Sequence, residues 1–112
     1  MADYSKYAVS GSNVSLPISS LPRNYKSLTW FYNADQKIVE WESGQPKYFN
    51  TKFKDKARLD PQSGTLHIDN IQKEDSSTYL LMVLKDTGDE DEWKISLVVL
   101  GEFGEPSSKS PL

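Results

Sequence analysis

The chain has 112 residues, a formal net charge of −3, 37% hydrophobic residues and no cysteine. This length suits one domain with one modest core, and the acidic balance argues against nonspecific nucleic-acid binding, which requires a strongly basic face. No stretch approaches the roughly 18 apolar residues that cross a bilayer, and Met1 does not lead into a signal-peptide pattern. We therefore expect that an extracellular form of the protein has lost its secretion signal and any anchor.

Short stretches of alternating apolar and polar residues, separated by turn residues, predict an all-β chain. Pro17 cannot donate to a hydrogen-bond ladder, so its position is predicted to be an edge or a bulge. The domain is expected to span 7–100, between a disordered or artificial N-terminus (1–6) and a flexible linker or tag (101–112). The predicted strands B, C, C′, C″, D, E, F and G cover, in that order, 11–18, 28–32, 37–41, 47–49, 57–60, 65–68, 78–84 and 93–100.

The spacing around Trp30 is typical of an immunoglobulin variable-type domain that has lost its disulfide. Trp30 lies 12 residues after Ile18, at the position of the first cysteine, and Leu81 lies 63 residues after Ile18, at the position of the second. The predicted fold class is therefore an all-β V-set sandwich. Loss of a disulfide costs about 2–5 kcal/mol, whereas burial of an isoleucine and a leucine returns roughly 1.5–3 kcal/mol each. Because of this replacement, the missing cysteines do not identify a redox compartment.

The remaining signature positions are expected to be structural. The isoleucine, tryptophan and leucine named above should meet between the two sheets. Tyr79 precedes Leu81 by two residues and is placed as the tyrosine of the E–F corner, where its hydroxyl satisfies a backbone group. Arg58 begins strand D and Asp75 precedes strand F, so the two are expected to form the ion pair that closes the bottom of such domains.

The sequence offers little for catalysis. His67 is the only histidine and is predicted to point outward from strand E beside Asp69, so a hydrolase triad has no base. Counting also excludes a metal cluster of cysteine and histidine. The acidic run 86–92 lacks the spacing of a calcium-loop helix pair and is predicted to be a solvated hairpin. We expect neither enzyme activity nor a cofactor.

Strand alternation predicts one face that can bind a partner. Because Leu81 points inward in strand F, Leu80 and Met82 point out of the sheet formed by G, F, C and C′, near Phe31. An exposed apolar cluster on a small domain is a candidate binding site, unless long neighbouring side chains cover it. The phase of strand C′ stays open. The candidate partner-binding residues are Phe31, Asn33, Lys37, Val39, Trp41, Lys47, Leu80, Met82, Leu84, Asp86, Asp89, Glu90, Glu92 and Lys94.

Opposite charges are predicted to flank this apolar cluster. The F–G hairpin is acidic, and one flank of the sheet is basic. Such a layout gives fast, orientation-selective docking of modest affinity, which suits transient adhesion. The basic flank comprises Lys37, Lys47, Lys52, Lys54 and Lys56.

Four segments together carry a highly specific family resemblance: 28–32 (LTWFY), 35–41 (DQKIVEW), 58–64 (RLDPQSG) and 72–75 (QKED). They resemble the N-terminal domain of the signalling lymphocytic activation molecule (SLAM) family, over about residues 7–100. The missing inter-sheet disulfide adds to the resemblance, because the first domain in this family also lacks it. The resemblance implies a nonenzymatic extracellular ligand, at the cell surface or secreted. Its G-F-C-C′-C″ face would dock head-to-head on the same face of a receptor's first domain.

The resemblance also implies particular partners. They are the natural-killer-cell receptor two-B-four and, more weakly, the T-cell adhesion receptor cluster-of-differentiation two. The domain is expected to be a monomer that reaches a membrane only through an anchor it lacks. It departs from the family pattern in 3–8 and at Met82, where arginine is expected. Two origins stay open: a host orthologue, or a copy captured by a large DNA virus and released as a decoy that blocks immune-cell signalling.

Asn13 begins the only acceptor sequon for an N-linked glycan, and its place early in strand B predicts a glycan away from the binding sheet. Two alternatives to a receptor ligand stay open. One is a structural immunoglobulin domain of an intracellular filament, where missing disulfides are ordinary. The other is self-association through the same apolar face.

Overall fold

A computed structural model describes residues 3–101 and shows an all-β sandwich of two sheets. The larger sheet has the strand order β1-β9-β8-β3-β4-β5, and the smaller has the order β2-β7-β6. Within the described residues, no helix is long and apolar enough to cross a membrane. The elements are β1 Asp3–Val9, β2 Val14–Leu16, β3 Tyr25–Tyr32, β4 Gln36–Glu42, β5 Gln45–Tyr48, β6 Ala57–Leu59, β7 Leu66–Ile68, a 3₁₀ helix Lys73–Asp75, β8 Ser77–Lys85 and β9 Glu90–Leu100.

Strand β1 is the element that the sequence analysis missed. Residues 3–6, expected to belong to a disordered or artificial N-terminus, form its first half and pair in parallel with β9 from Asp3↔Lys94 onward. The segment is largely polar, which is why it was not predicted as a strand, but its residues alternate in burial, and Tyr4 and Ala8 pack against the core. The Tyr4 hydroxyl also donates to the Pro17 carbonyl at 2.5 Å. Residues 1–2 and the predicted linker beyond residue 101 lie outside the described residues.

Strand β2 is shorter than predicted because its ladder with β7 ends at Leu16. Pro17 follows directly and has no N–H with which to continue the ladder. Ile18 consequently lies beyond the strand and is half-buried against the core. Trp30 and Leu81 have no exposed surface, and the Trp30 indole N–H donates to the Gly64 carbonyl at 3.0 Å. Aliphatic and aromatic packing therefore closes the core of a chain without cysteine.

The predicted ion pair between Arg58 and Asp75 is wrong. Strand β6 turns Ala57 into the core, so Arg58 points to solvent, where it lies 3.6 Å from the Asp69 carboxylate. The Asp75 carboxylate instead accepts Lys52 at 2.9 Å and Lys56 at 3.0 Å. Lys52 and Lys56 lie in the segment between β5 and β6, before the strand begins, and this segment brings both ammonium groups to Asp75.

The corner beside Asp75 is closed by a buried hydroxyl. Tyr79 is fully buried, and its hydroxyl donates to the Asp75 carbonyl at 2.6 Å. The Tyr79 ring lies edge-on to Tyr32 and Phe53, with ring centroids 5.5 and 6.0 Å away. Aromatic contacts and a satisfied hydroxyl thus hold the crossing from the small sheet into β8.

Candidate partner-binding face

The outward side of the six-stranded sheet, here called the outer face, is built by five neighbouring strands: β9, β8, β3, β4 and β5. Its central row places Met82 beside Thr29 and Glu92. One row further along, Leu80 lies beside Phe31 and Lys94. On the other side, Leu84 pairs with Ser27 and Glu90. The strands therefore gather the predicted residues of β3, β8 and β9 into one surface.

The apolar centre of the outer face is more covered than the sequence predicts. Leu80 is only 9% exposed, and Phe31, Met82 and Leu84 are half-buried. Lys94 and Lys37 stand at the two ends of the Leu80–Phe31 row, where their long aliphatic stems can lie over apolar neighbours. The expectation of a freely exposed cluster is therefore corrected. The centre is a shallow apolar floor under charged edges.

Val39 and Trp41 do not belong to the outer face. A β-bulge between Trp30 and Phe31 shifts the register of β4, so that Val39 pairs with the inward Trp30. Val39 is fully buried, and Trp41 packs against the core. The two acidic residues between and after them, Glu40 and Glu42, take the outward positions. The sequence analysis counted Val39 and Trp41 among the candidates for this face, because a bulge inverts the alternation locally and has no marker in the sequence of this strand.

Charges on the outer face divide along the strands, and not from flank to flank as predicted. The row of Leu80 and Phe31 ends in lysines on both sides, Lys94 on β9 and Lys37 on β4. The two rows nearer the β8–β9 hairpin end in glutamates on both sides. Lys47 on β5 lies beside the central row. The glutamates are Glu92 and Glu40 in the central row, and Glu90 and Glu42 in the row beyond it.

The predicted basic flank is only partly available to a partner. Lys52 and Lys56 are engaged by Asp75, away from the row ends. Lys37 lies 3.8 Å from the Glu40 carboxylate, and its ammonium is 5.5 Å from the centre of the Phe49 ring. Lys47 lies over the same ring at 5.1 Å. One aromatic ring therefore supports both lysines that border the outer face on this side.

Two of the turns that border the outer face carry predicted binding residues, and both are exposed. Asn33 lies in the β3–β4 turn with a left-handed φ of 56°, and its backbone N–H donates to the Thr78 carbonyl at 2.9 Å. Asp86 and Asp89 lie in the β8–β9 hairpin, where Asp89 accepts the Thr87 hydroxyl at 3.3 Å. At the base of this hairpin Lys85 pairs with Asp91 at 3.5 Å. The hairpin keeps an acidic tip at the acidic end of the face.

The histidine and the glycosylation-sequon asparagine lie outside this face, and both form hydrogen bonds to nearby residues. The Nδ1 atom of His67 lies 2.7 Å from the Ser15 hydroxyl, across the β2–β7 ladder. Among residues 3–101, no group of three or more histidine or acidic side chains is placed to hold a metal ion. Asn13 is exposed just before β2, and its Oδ1 atom accepts the Asn70 N–H at 3.0 Å. A glycan on its amide nitrogen would extend from the small sheet.

Residues 3–100 match the sequence pattern of the immunoglobulin V-set domain. The chain belongs to the immunoglobulin V-set family. This V-set domain is 64% identical to human CD48 antigen over 102 residues, which cover 90% of this chain and 42% of the antigen. The chain therefore spans less than half the length of that relative. The SLAM-type resemblance inferred from the four segments is confirmed.

Solved structures agree with this relationship. The V-set domain matches the solution structure of the first Ig-like domain from human CD48 antigen, with a TM-score of 0.84 and 59% identity over 96% of this chain and 90% of that one. It also matches the crystal structure of the CD2-binding domain of CD58 (lymphocyte function-associated antigen 3). That TM-score is 0.71, with 27% identity over 87% of this chain and 53% of the other.

Proposed function

We propose that this V-set domain is a nonenzymatic ligand module that docks its outer face on the first domain of an immune-cell receptor of the CD2 type. The observation that carries the proposal is the 64% identity to human CD48 antigen over nine-tenths of the chain. The similarity to the CD2-binding domain of CD58 supports the same class of partner. A protein of this kind acts outside the cell, on a surface or in secreted form.

The outer face has the properties that such docking needs. Its half-buried centre of Phe31, Met82 and Leu84 offers apolar contact without a large hydrophobic patch that would drive aggregation. Charged row ends surround this centre, and complementary charges steer encounter and orientation more than they raise affinity. The exposed Asn13 lies on the opposite side of the sandwich, so a glycan there leaves the outer face free.

Among receptors of this class we propose the natural-killer receptor two-B-four first and the T-cell adhesion receptor cluster-of-differentiation two second. The similarity to the CD2-binding domain of CD58 is the observation that favours keeping the second. Met82 replaces an expected arginine at the middle of the face, so partner choice rests on this position. We also propose that a captured, soluble form of the domain would act as a decoy, whose mark is slow dissociation.

Surface plasmon resonance against the immobilised first domain of two-B-four tests the proposal. We expect Met82→Glu and Phe31→Glu each to weaken binding at least tenfold, because each places a carboxylate on the apolar floor between existing glutamates and lysines. Val98→Glu is the matched control, since Val98 is 36% exposed on the same sheet but faces Tyr7 at the far edge. Circular dichroism establishes that each variant keeps its β-structure.

The outcomes separate the alternatives. Loss of binding in both face variants with normal binding by Val98→Glu supports the outer face. Normal binding by both face variants means that the receptor uses another surface. Binding to neither receptor at high micromolar concentration overturns the ligand function and returns the domain to a structural role. Self-association through the same face would appear as a concentration-dependent mass in analytical ultracentrifugation that Met82→Glu abolishes.

A further inference from the structure

A second concave site lies away from the outer face, at the edge where the two sheets meet. The loop before β3, the start of β3, the end of β4 and the β6–β7 turn border an open cleft of about 590 Å³. That volume is within the roughly 300–1,000 Å³ of small-ligand sites. The walls include Pro22, Arg23, Tyr25, Trp41, Pro61 and Gln62. The β4 bulge that removes Trp41 from the outer face also turns it into this cleft.

The Trp41 indole N–H differs from those of the other two tryptophans. Trp30 donates its indole N–H to the Gly64 carbonyl at 3.0 Å, and Trp93 donates to the Ser19 carbonyl at 3.1 Å. Within residues 3–101 the indole N–H of Trp41 donates to no protein group. Every buried side-chain nitrogen or oxygen in these residues has a hydrogen-bond partner, so an indole nitrogen without one is not buried. The Trp41 N–H therefore reaches solvent, inside a cleft whose floor is a half-buried aromatic ring.

The lining of the cleft supplies more donors than acceptors. Arg23 is exposed and forms no ion pair within the described part of the chain. Gln62 adds an exposed side-chain amide. The Tyr25 hydroxyl already donates to the Pro61 carbonyl at 2.9 Å, which occupies that acceptor and fixes the ring. Arg23 is the one charged residue of this lining, and the nearby Asp60 carboxylate accepts the Gln62 N–H at 3.0 Å.

We propose that this cleft binds an extended, proline-rich peptide in the polyproline II conformation. Proline residues carry carbonyl acceptors and no N–H, so they match a lining of free donors, and their rings pack on aromatic and proline surfaces. In this arrangement the ligand's rings lie on Trp41 and Tyr25, and its carbonyls accept from Trp41 and Arg23. A saccharide fits less well, because its hydroxyls also need acceptors, and the only side-chain acceptors in this lining are the Gln62 amide oxygen and the Tyr25 hydroxyl oxygen.

Nitrogen-15 NMR of the whole domain tests this proposal, with a blocked oligoproline peptide as the probe. The three indole N–H signals report separately, and two of them belong to rings that are held by internal hydrogen bonds. We expect the Trp41 signal to shift saturably while those of Trp30 and Trp93 stay in place. A glycine–serine peptide of equal length should cause no such shift.

Arg23→Ala should weaken the oligoproline interaction several-fold, since it removes an exposed donor and no core contact. Arg58→Ala is the matched control, because Arg58 is an exposed arginine on β6, outside the cleft lining. The proposal fails if the Trp41 signal does not respond, responds equally to the glycine–serine peptide, or responds unchanged in Arg23→Ala. A shift caused by sialyllactose and not by oligoproline assigns the cleft to an acidic saccharide and also overturns it. Receptor binding at the outer face is measured separately, so either proposal can fail alone.

Discussion

At the scale of single residues, Gly64 shows how the domain repacks the space around its tryptophan. Its φ of +81° lies in the left-handed region, and its carbonyl accepts the Trp30 indole N–H. A Cβ atom at this position would lie 2.9 Å from Cδ1 of Ile18 and 3.3 Å from Cδ1 of Leu21. Ile18, which stands in the first cysteine position, therefore packs directly on the backbone of the turn that holds the tryptophan.

Gly64→Ala should destabilise the domain more than Gly44→Ala does. Both glycines have a left-handed φ, so both alanines pay roughly 1–2 kcal/mol for the backbone conformation. Only the alanine at 64 meets side chains, because the space around Gly44 is open within 4 Å. Urea unfolding should show an additional loss of about 1–3 kcal/mol for Gly64→Ala, as for overpacking. Equal losses for the two variants would mean that Ile18 moves aside freely.

At the scale of elements, the 3₁₀ helix between β7 and β8 is held by one buried carboxylate. Asp75 is 1% exposed and accepts Lys52, Lys56 and the backbone N–H of Gln72, the last at 2.9 Å. Burial alone would raise the pKa of Asp75, but the hydrogen bonds from Lys52, the Gln72 N–H and Lys56 together lower it below its ordinary value. The segment that crosses from the small sheet to β8 is therefore stabilised by the Asp75 carboxylate only while this group is ionised.

The lowered pKa of Asp75 predicts a loss of stability in acid. The unfolded chain takes up the proton at a higher pH than the folded domain, so this contribution is complete above about pH 4 and disappears as pH falls through the folded pKa. Asp75→Asn should cost about 1–3 kcal/mol at neutral pH, because its amide cannot accept both ammonium groups. Urea unfolding at a series of pH values should show the two proteins converging below pH 4. A constant difference down to about pH 2 would contradict this account.

At the scale of the whole molecule, the sandwich separates its charges into zones that a net charge of −3 conceals. Glutamates border the rows of the outer face near the hairpins, and Lys94 and Lys37 border the next row. A partner with the complementary layout would be attracted in one orientation only. These row-end charges are solvent-exposed or half-buried, so salt screens their fields over about 10 Å at 0.1 M.

On the proposed function, the association rate with the receptor should fall several-fold as salt rises from about 0.05 to 0.5 M, while the dissociation rate changes little. Glu40→Gln with Glu42→Gln should reduce this salt dependence, because both residues lie at the acidic end of the face. Stopped-flow or surface plasmon resonance kinetics at several salt concentrations measures it. An association rate that does not respond to salt would show that the charge layout plays no part in docking.

Every strand except β1 was predictable to within a few residues, because alternation and turn residues are local properties of the chain. The candidate face was predictable only in part. Phe31 and Met82 lie on it because β3 and β8 keep a regular alternation through the two neighbouring rows that hold these residues. Val39 and Trp41 do not, because the β4 bulge depends on how β3 and β4 pair and leaves no local pattern.

By itself, the sequence determined the V-set sandwich, the aliphatic replacement of its disulfide and the family to which it belongs. These rest on spacing, on residue size and on hydrophobic alternation, which the chain carries wherever it folds. Only the tertiary structure decided that β1 joins β9, that Lys52 and Lys56 take Asp75 in place of Arg58, and that Trp41 lines a cleft. Each of these depends on which of several available partners lies within reach after the sheets pack, and distance along the chain does not specify that choice.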